Sequence, residues 1–263
     1  MDFLQVSGKT FLVTGVANKK SVAFFVAKDL MENGARVILS VQNEDNRNKA
    51  QKLFPESTIL ICDVENSESI RQLGEYFQHN NIRLAGFVHS IAFANYSEGL
   101  KPFHETKVQD YLQATNISCF SLVAIANALI NSFEEDASIV TISISNTRAT
   151  AYGYMGPIKA ALDATVAFLA KSLSAISKVR VNAVCAGPLK TSASAGIPGY
   201  VNNYLFAEQL TLRKAALKTE EVANTAIFLL SPVSSGINAT GIVVDAGMSC
   251  NYFDQDIVNK AMR

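Results

Sequence analysis

The 263-residue sequence predicts an α/β fold, a single Rossmann-like doubly wound parallel sheet with helices on both faces. Three observations predict it. Short runs rich in β-branched residues recur along the chain, and each is continuously apolar, as strands buried on both faces are. Stretches with helical spacing separate these runs, and such alternation builds a parallel sheet through right-handed crossovers. No Pro/Gly/Ser-rich linker or shift in composition divides the chain, so residues 1–263 read as one domain.

The strands are expected at residues 10–13 (Thr10-Phe11-Leu12-Val13), 35–39, 58–61, 86–88, 138–142, 179–184 and 242–244, each bounded by Gly, Ser, Asn or Asp. Helical spacing covers residues 21–33, 67–78, 108–131, 160–174 and 219–230. The last opens Thr219-Glu220-Glu221-Val222, an N-cap followed by acidic first-turn residues. Residues 192–209 interrupt the alternation just after a strand. This segment is long and rich in Ala, Gly, Asn and Tyr, which marks a lid.

Composition narrows the function. The chain is 49% hydrophobic and 17% charged and has no tryptophan, as a soluble globular protein should. Its 23 basic and 23 acidic residues cancel, which argues against nucleic acid or an anionic membrane as partner. No apolar run reaches the ~18 residues needed to span a bilayer. The start, MDFLQVSGK, has no secretory signal pattern. Cys62, Cys119, Cys185 and Cys250 are scattered without a CxxC pair and read as buried thiols of a cytoplasmic protein, so metal and disulfide chemistry are not expected.

In open α/β sheets ligands sit beyond the carboxyl ends of the strands, so those residues carry the function. The first strand runs into Thr14-Gly15-Val16-Ala17-Asn18-Lys19-Lys20-Ser21-Val22, a small-residue turn that can present backbone N–H groups to a pyrophosphate. It holds one glycine rather than GxGxxG, and a lone glycine also serves an ordinary turn. The second strand ends at Val41-Gln42-Asn43. A dinucleotide fold often places a carboxylate here for a ribose or an arginine for a 2′-phosphate; neutral Gln42, with Arg47 residues away, favours NADH over NADPH. Gln42 also reads as a polar loop residue. Cys62-Asp63-Val64 follows the third strand, where an adenine could sit, and His89-Ser90-Ile91-Ala92 follows the fourth. His89 reads as a hydrogen-bonded structural histidine rather than a base.

Ala151-Tyr152-Gly153-Tyr154-Met155-Gly156-Pro157-Ile158-Lys159 is the strongest constellation. A tyrosine hydroxyl can donate to a developing oxyanion, and a nearby ammonium can lower its pKa and hold ribose hydroxyls. Seven helical residues turn through roughly 700°, about 20° short of two turns, which puts Tyr152 and Lys159 on one face and Tyr154 on another. Proline belongs in a helix's first turn, however, so a helix starting near Gly156 would leave Tyr152 ahead of it. Two structural tyrosines and a solvated lysine are the plain alternative.

These segments, with Ala186-Gly187-Pro188-Leu189-Lys190-Thr191, Ser194-Ala195-Gly196-Ile197 and Val244-Asp245-Ala246-Gly247, resemble the short-chain dehydrogenase/reductase family. The Tyr-x6-Lys spacing, in place of Tyr-x3-Lys, resembles its NADH-dependent enoyl-acyl-carrier-protein reductase branch over nearly the whole chain. The resemblance implies reduction of a carbon–carbon double bond conjugated to a thioester, in fatty acid synthesis. Tyr152 would hydrogen-bond the enolate oxygen and Lys159 the nicotinamide ribose. Gly15, Ser21, Val22, Gln42, Asp63, Val64, Ser90, Ile91, Ala92, Leu189 and Thr191 would line the cofactor site. Ala92, Phe93 and Ala94, with Tyr152 and the lid residues Ala193, Ala195, Ile197, Tyr204 and Phe206, would line the substrate site. The resemblance also implies a homotetramer packed through long helices, and an enoyl thioester carried on acyl carrier protein.

Two departures from the branch stand out. Ile144 falls where the enoyl reductases carry an upstream tyrosine, in a stretch two residues shorter; Ser143 or Ser145 can take over as the polar group there. Asn116 is similar to the active-site asparagine of the wider family. The lid stretch Pro198-Gly199-Tyr200-Val201-Asn202-Asn203 lacks the basic residues that meet an acidic carrier protein, which weakens carrier steering. Two alternatives follow: a carbonyl or enone reductase on the same scaffold, or a silent dinucleotide-binding homologue.

Overall fold

The protein, here a computed structural model, is described for residues 2–99, 101–191, 194, 197 and 199–262. Seven parallel strands form one sheet in the order β3-β2-β1-β4-β5-β6-β7. They are β1 (Thr10–Thr14), β2 (Arg36–Val41), β3 (Thr58–Ile61), β4 (Leu84–His89), β5 (Phe133–Ile144), β6 (Arg180–Ala186) and β7 (Gly241–Val244). All seven lie where the apolar runs predict them. β5 is longer at both ends, and at its start Glu134, Glu135 and Asp136 carry charge and conceal a strand from a hydrophobic pattern.

Alternate residues of each strand feed two separate cores. Leu12, Ile38, Phe87, Ile139 and Val181 face one core, with α3 (Ser67–His79), α5 (Ser121–Ala128) and α6 (Met155–Leu173). Phe11, Val13, Leu39, Val88, Val140 and Val184 face the other, under α1 (Val22–Glu32) and α8 (Thr219–Leu230). That two-sided burial is why the strands read as unbroken apolar runs rather than alternating ones. The remaining helices are α2 (Glu44–Leu53), α4 (Val108–Thr115), α7 (Tyr200–Leu210) and α9 (Gln255–Ala261). No helix among the described residues is long and apolar enough to cross a membrane.

Four expectations need correction. The single helix expected over residues 108–131 is α4 and α5 joined by a π turn over Asn116–Phe120. The π turn follows no break in the apolar pattern, and such turns cluster at functional sites. The helix expected from residue 160 begins at Met155, because Pro157 occupies its first turn. Lys218, not Thr219, sits at the N-cap of α8; the Glu221 carboxylate accepts its N–H at 2.8 Å. Cys62, Cys119 and Cys185 are buried but Cys250 is exposed, on a short turn beyond the last strand.

The cavity-distal end of β6 is fixed by one side chain. The guanidinium of Arg180, 7% exposed, donates to the carbonyls of Leu229, Ser231, Ser234 and Ile237 at 3.1–3.2 Å. It closes the end of α8 and the loop into β7, satisfying carbonyls that a helix end would otherwise leave unpaired.

Candidate active site

A cavity of about 790 Å³ opens at the carboxyl ends of β1 to β6, within the usual size range of ligand sites. The strand order reverses between β1 and β4, where a doubly wound sheet opens a crevice. Gly15 makes that crevice. Its φ is +86°, and a Cβ there would lie 1.9 Å from the Ser90 carbonyl oxygen, so only glycine lets the end of β1 pass the end of β4. Thr14 reinforces the crossing: its hydroxyl donates to Val88 O at 2.9 Å and accepts from Ser90 N at 3.4 Å.

Ser21 caps α1, accepting the Phe24 N–H at 3.2 Å and donating to Asn18 O at 2.9 Å. The helix therefore starts at the cavity wall with free N–H groups of its first turn near Gly15, Val16 and Ala17, an anion-receptive end. Gln42 and Asn46 line the cavity beyond β2, while Arg47 pairs with Glu44 at 2.6 Å. Asp63 accepts the Glu65 N–H at 3.1 Å, which shapes the turn after β3. The only charged side chains lining the cavity among the described residues are Asp63, Glu65 and Lys159, so nothing cationic waits beside β2 for a 2′-phosphate. The glycine crossing, the helix start and the lack of a cation lining the cavity beside β2 together fit an unphosphorylated nicotinamide dinucleotide.

Lys159 is 4% exposed, and one of its three N–H donors goes to the Ile142 carbonyl at 2.8 Å. Burial lowers its pKa to about 8, with Asp163 nearby pulling the other way. Asp163 is itself raised by burial, with nearby Lys159 pulling it down, and one of its oxygens, like the Ser143 hydroxyl, has no hydrogen-bond partner among the described residues. His89 is fully buried between the hydroxyls of Thr141 (2.9 Å) and Ser121 (2.8 Å), and burial drives its pKa down to about 3. Ser121 donates to Ile117 O at 2.6 Å, so it accepts from the ring; His89 is neutral and structural, as expected.

Tyr152 does not share a helix face with Lys159. It closes a 3₁₀ turn, Thr150–Tyr152, followed by Gly153 at φ +62° and then α6, so the proline-led alternative is the one realised. The turn still delivers Tyr152 to the cavity that Lys159 also lines. The expected lowering of its pKa is overturned: burial, with Tyr200 adding to it, pushes the phenol up to about 12. The Tyr152 hydroxyl therefore keeps its proton at neutral pH. Tyr154 points away, donating to Asn95 O at 3.0 Å.

The structure brings together Gly15, Ser21, Val22, Gln42, Asp63, Val64, Ser90, Ile91, Ala92, Phe93, Ala94, Tyr152, Lys159, Leu189, Thr191 and Ile197. Tyr204 and Phe206 are not among them. Tyr200 faces the cavity; Tyr204 lies one turn farther along α7, and Phe206, about 240° round from Tyr200, is half exposed. Ala193 and Ala195 lie outside the described residues, as do Ser192, Gly196 and Pro198 of the expected lid. Ser143 and Ile144 line the cavity, whereas Ser145 and Asn116 do not. Reasoning from the sequence missed Tyr96 and Tyr200. Tyr200 accepts the Leu189 N–H at 2.9 Å and ties α7 to the end of β6; its one sequence signal is an aromatic just after the Gly199 turn.

A family model described as Enoyl-(Acyl carrier protein) reductase matches residues 15–249. The chain is 36% identical over 253 residues to enoyl-[acyl-carrier-protein] reductase [NADH] FabI of Nostoc, covering 93% of this chain and 97% of that protein. It is 34% identical over 251 residues to the [NADPH] enzyme of Staphylococcus aureus, covering 93% and 98%. The crystal structure of enoyl-[acyl-carrier-protein] reductase (NADH) from Aquifex aeolicus superposes with a TM-score of 0.88 at 30% identity, over 93% of this chain and 97% of that one.

Because an added methyl at residue 15 meets the Ser90 carbonyl and a positive φ at once, Gly15→Ala is expected to destabilise the protein by about 2 kcal/mol or more. NADH affinity should fall at least about tenfold. Urea unfolding and NADH fluorescence titration measure the two effects; an unchanged midpoint and affinity would contradict the role given to Gly15.

Proposed function

The chain belongs to the enoyl-(acyl carrier protein) reductase family, and on that premise we propose which of its residues carry the reaction. It is an NADH-dependent oxidoreductase that reduces the carbon–carbon double bond of an enoyl thioester in fatty acid synthesis. One observation supports the assignment of residues above the rest: Tyr152 and Lys159 line the same cavity as six parallel strand ends and a glycine crossing.

NADH, when bound, supplies hydride to the β-carbon of the substrate. Charge then builds on the thioester oxygen, and Tyr152 donates its hydrogen bond there. A phenol pushed up to about 12 keeps its proton at neutral pH, so it acts as a preorganised donor to the enolate oxygen. Lys159 has Ile142 as one acceptor and two further N–H donors for the ribose diol of the cofactor. Ala92, Phe93, Ala94, Ile144 and Ile197 give the substrate end apolar walls that exclude water. The acyl group is carried on acyl carrier protein, as the names of the relatives suggest.

A homotetramer is supported by exposed apolar side chains on neighbouring helices: Val108, Leu112 and Phe120 along α4 and the π turn, and Phe168, 78% exposed, on α6. Three buried thiols and a neutral surface charge support a cytoplasmic enzyme.

Purified protein is expected to oxidise NADH with crotonyl and longer enoyl thioesters. Tyr152→Phe should cut kcat about 100-fold or more while leaving NADH affinity unchanged. Turnover of ketones or free enones alone, or of nothing, would refute the assignment. The lysine makes a second prediction. Its pKa is lowered from 10.5 to about 8, so its charge disappears as pH rises through about 8. NADH affinity should therefore fall between pH 7 and pH 9 in the wild type and show no such step in Lys159→Met. Light scattering should give a four-chain mass, and Phe168→Glu should split it; a monomeric wild type would exclude the tetramer.

A further inference from the structure

A second phenol stands behind Tyr152, on an element that the reaction has not yet used. Tyr96 comes from the loop after β4, in Phe93-Ala94-Asn95-Tyr96, and lines the same cavity as Tyr152. Its hydroxyl is buried and has no hydrogen-bond partner among the described residues. Buried hydroxyls are nearly always paired, so an orphan beside a reaction centre calls for a reason. The strand that could have supplied a polar group at this end, β5, closes instead on apolar Ile144.

The surroundings hold the Tyr96 ring firmly. It packs against Tyr154, with ring centroids 5.7 Å apart, and Tyr154 in turn packs against Tyr111 of α4 at 6.3 Å. The Tyr154 hydroxyl donates to Asn95 O at 3.0 Å, and the Asn95 amide donates to Asp110 at 3.0 Å. Ser118 of the π turn grips the same loop from its other end, accepting Phe93 N at 2.9 Å and donating to Phe93 O at 3.0 Å. The loop is thus stapled to α4, the π turn and the segment that carries Tyr152, so Tyr96 cannot swing out to solvent without breaking several contacts. Burial raises the Tyr96 pKa, with nearby Tyr152 and Tyr154 adding to it, and burial raises that of Tyr152 likewise, which keeps both phenols protonated.

We propose that Tyr96 is a positioning residue for the reduction: its hydroxyl donates to the Tyr152 oxygen when substrate engages Tyr152. A phenol has one proton and two lone pairs. Tyr152 must give that proton to the thioester oxygen, and a donor arriving at its own oxygen both fixes the rotamer and strengthens the bond it gives. Tyr96 is a neutral donor lining the same cavity, and its proton is taken by no group among the described residues. This inference rests on Tyr152 being the donor to the enolate oxygen.

Tyr96→Phe keeps the ring and its packing on Tyr154 and removes only the hydroxyl. It is expected to lower kcat with a crotonyl thioester about tenfold, with NADH affinity and the KM for NADH within twofold of wild type. In a Tyr152→Phe background the same substitution should change kcat less than twofold, because the group it acts through is gone. A merely structural role would lower both backgrounds alike. Full activity in Tyr96→Phe, equal losses in the two backgrounds, or lost NADH affinity would each overturn the proposal while leaving the reaction assignment intact. A wild type that binds NADH but reduces no enoyl thioester would overturn the assignment and the proposal with it. Should Tyr96→Phe fail to fold, the wild type decides: tyrosine labelled with ¹³C at the ζ carbon and placed only at position 96 should shift its resonance when NAD and a crotonyl thioester are added together, and an unmoved resonance would overturn the proposal.

Discussion

The Ser90 carbonyl occupies the space that a side chain at residue 15 would need, and most of what this protein does depends on that contact. Two parallel strands with opposite winding directions on either side must separate at their carboxyl ends, and the separation creates the crevice. With glycine at the first turn, the backbone passes within contact distance of the β4 end and α1 starts directly at the cavity wall. The dinucleotide site is therefore a property of topology plus one missing methyl, which explains how it can form from a turn with a single glycine in place of the three-glycine fingerprint. Downstream of β4, the same crossing sets the course of the loop that carries Ile91, Phe93 and Tyr96.

Burial, more than charge pairing, sets the protonation states around the site. Lys159 is lowered, Tyr152 raised and His89 driven far into its neutral form, and loss of solvent is the leading cause of all three. Lys159 keeps its charge at neutral pH, since burial brings its pKa only to about 8, while burial holds the Tyr152 phenol in its protonated form. In the proposed reduction a neutral phenol serves as donor to the enolate oxygen, while the α-carbon takes its proton from solvent.

The strand ends were legible in the sequence because strands buried on both faces leave unbroken apolar runs, and in such a sheet the ligand lies at their carboxyl ends. Gly15, Asp63, Ser90 and Leu189 could all be found by reading two to five residues past a run. The lid was less legible. Tyr204 and Phe206 are apolar residues in a segment with no apolar stripe, so their direction depends on a helix phase that begins at Gly199, and the sequence carries no marker of that phase. The direction of the Tyr152 shift was illegible because residue spacing reports which charges are near but not how much water remains. The π turn was hidden for a related reason: Ala114, Ile117, Leu122 and Ile125 keep an apolar pattern through it, and only the extra residue in the turn aims Ile117 at the cavity. Tyr96 escaped notice because a loop places it, and loops hold no periodicity to extrapolate.

The polar groups clustered around α6 cost stability where they stand. Asp163 has an unpaired carboxylate oxygen, Ser143 an unpaired hydroxyl, and Lys159 a charge in a dry setting, all within one stretch of β5 and α6. A small single-core domain would tolerate this poorly. Here the sheet is covered on both faces by independent apolar cores, and the opposite end of β6 is locked by Arg180, whose buried charge is surrounded by carbonyl acceptors. The same strand thus carries a fully satisfied charge at one end and approaches an unsatisfied cluster at the other. Of the unpaired buried hydroxyls, those of Ser143 and Tyr96 line the cavity, where a ligand can complete them, whereas that of Ser132 lies at the far end of β5.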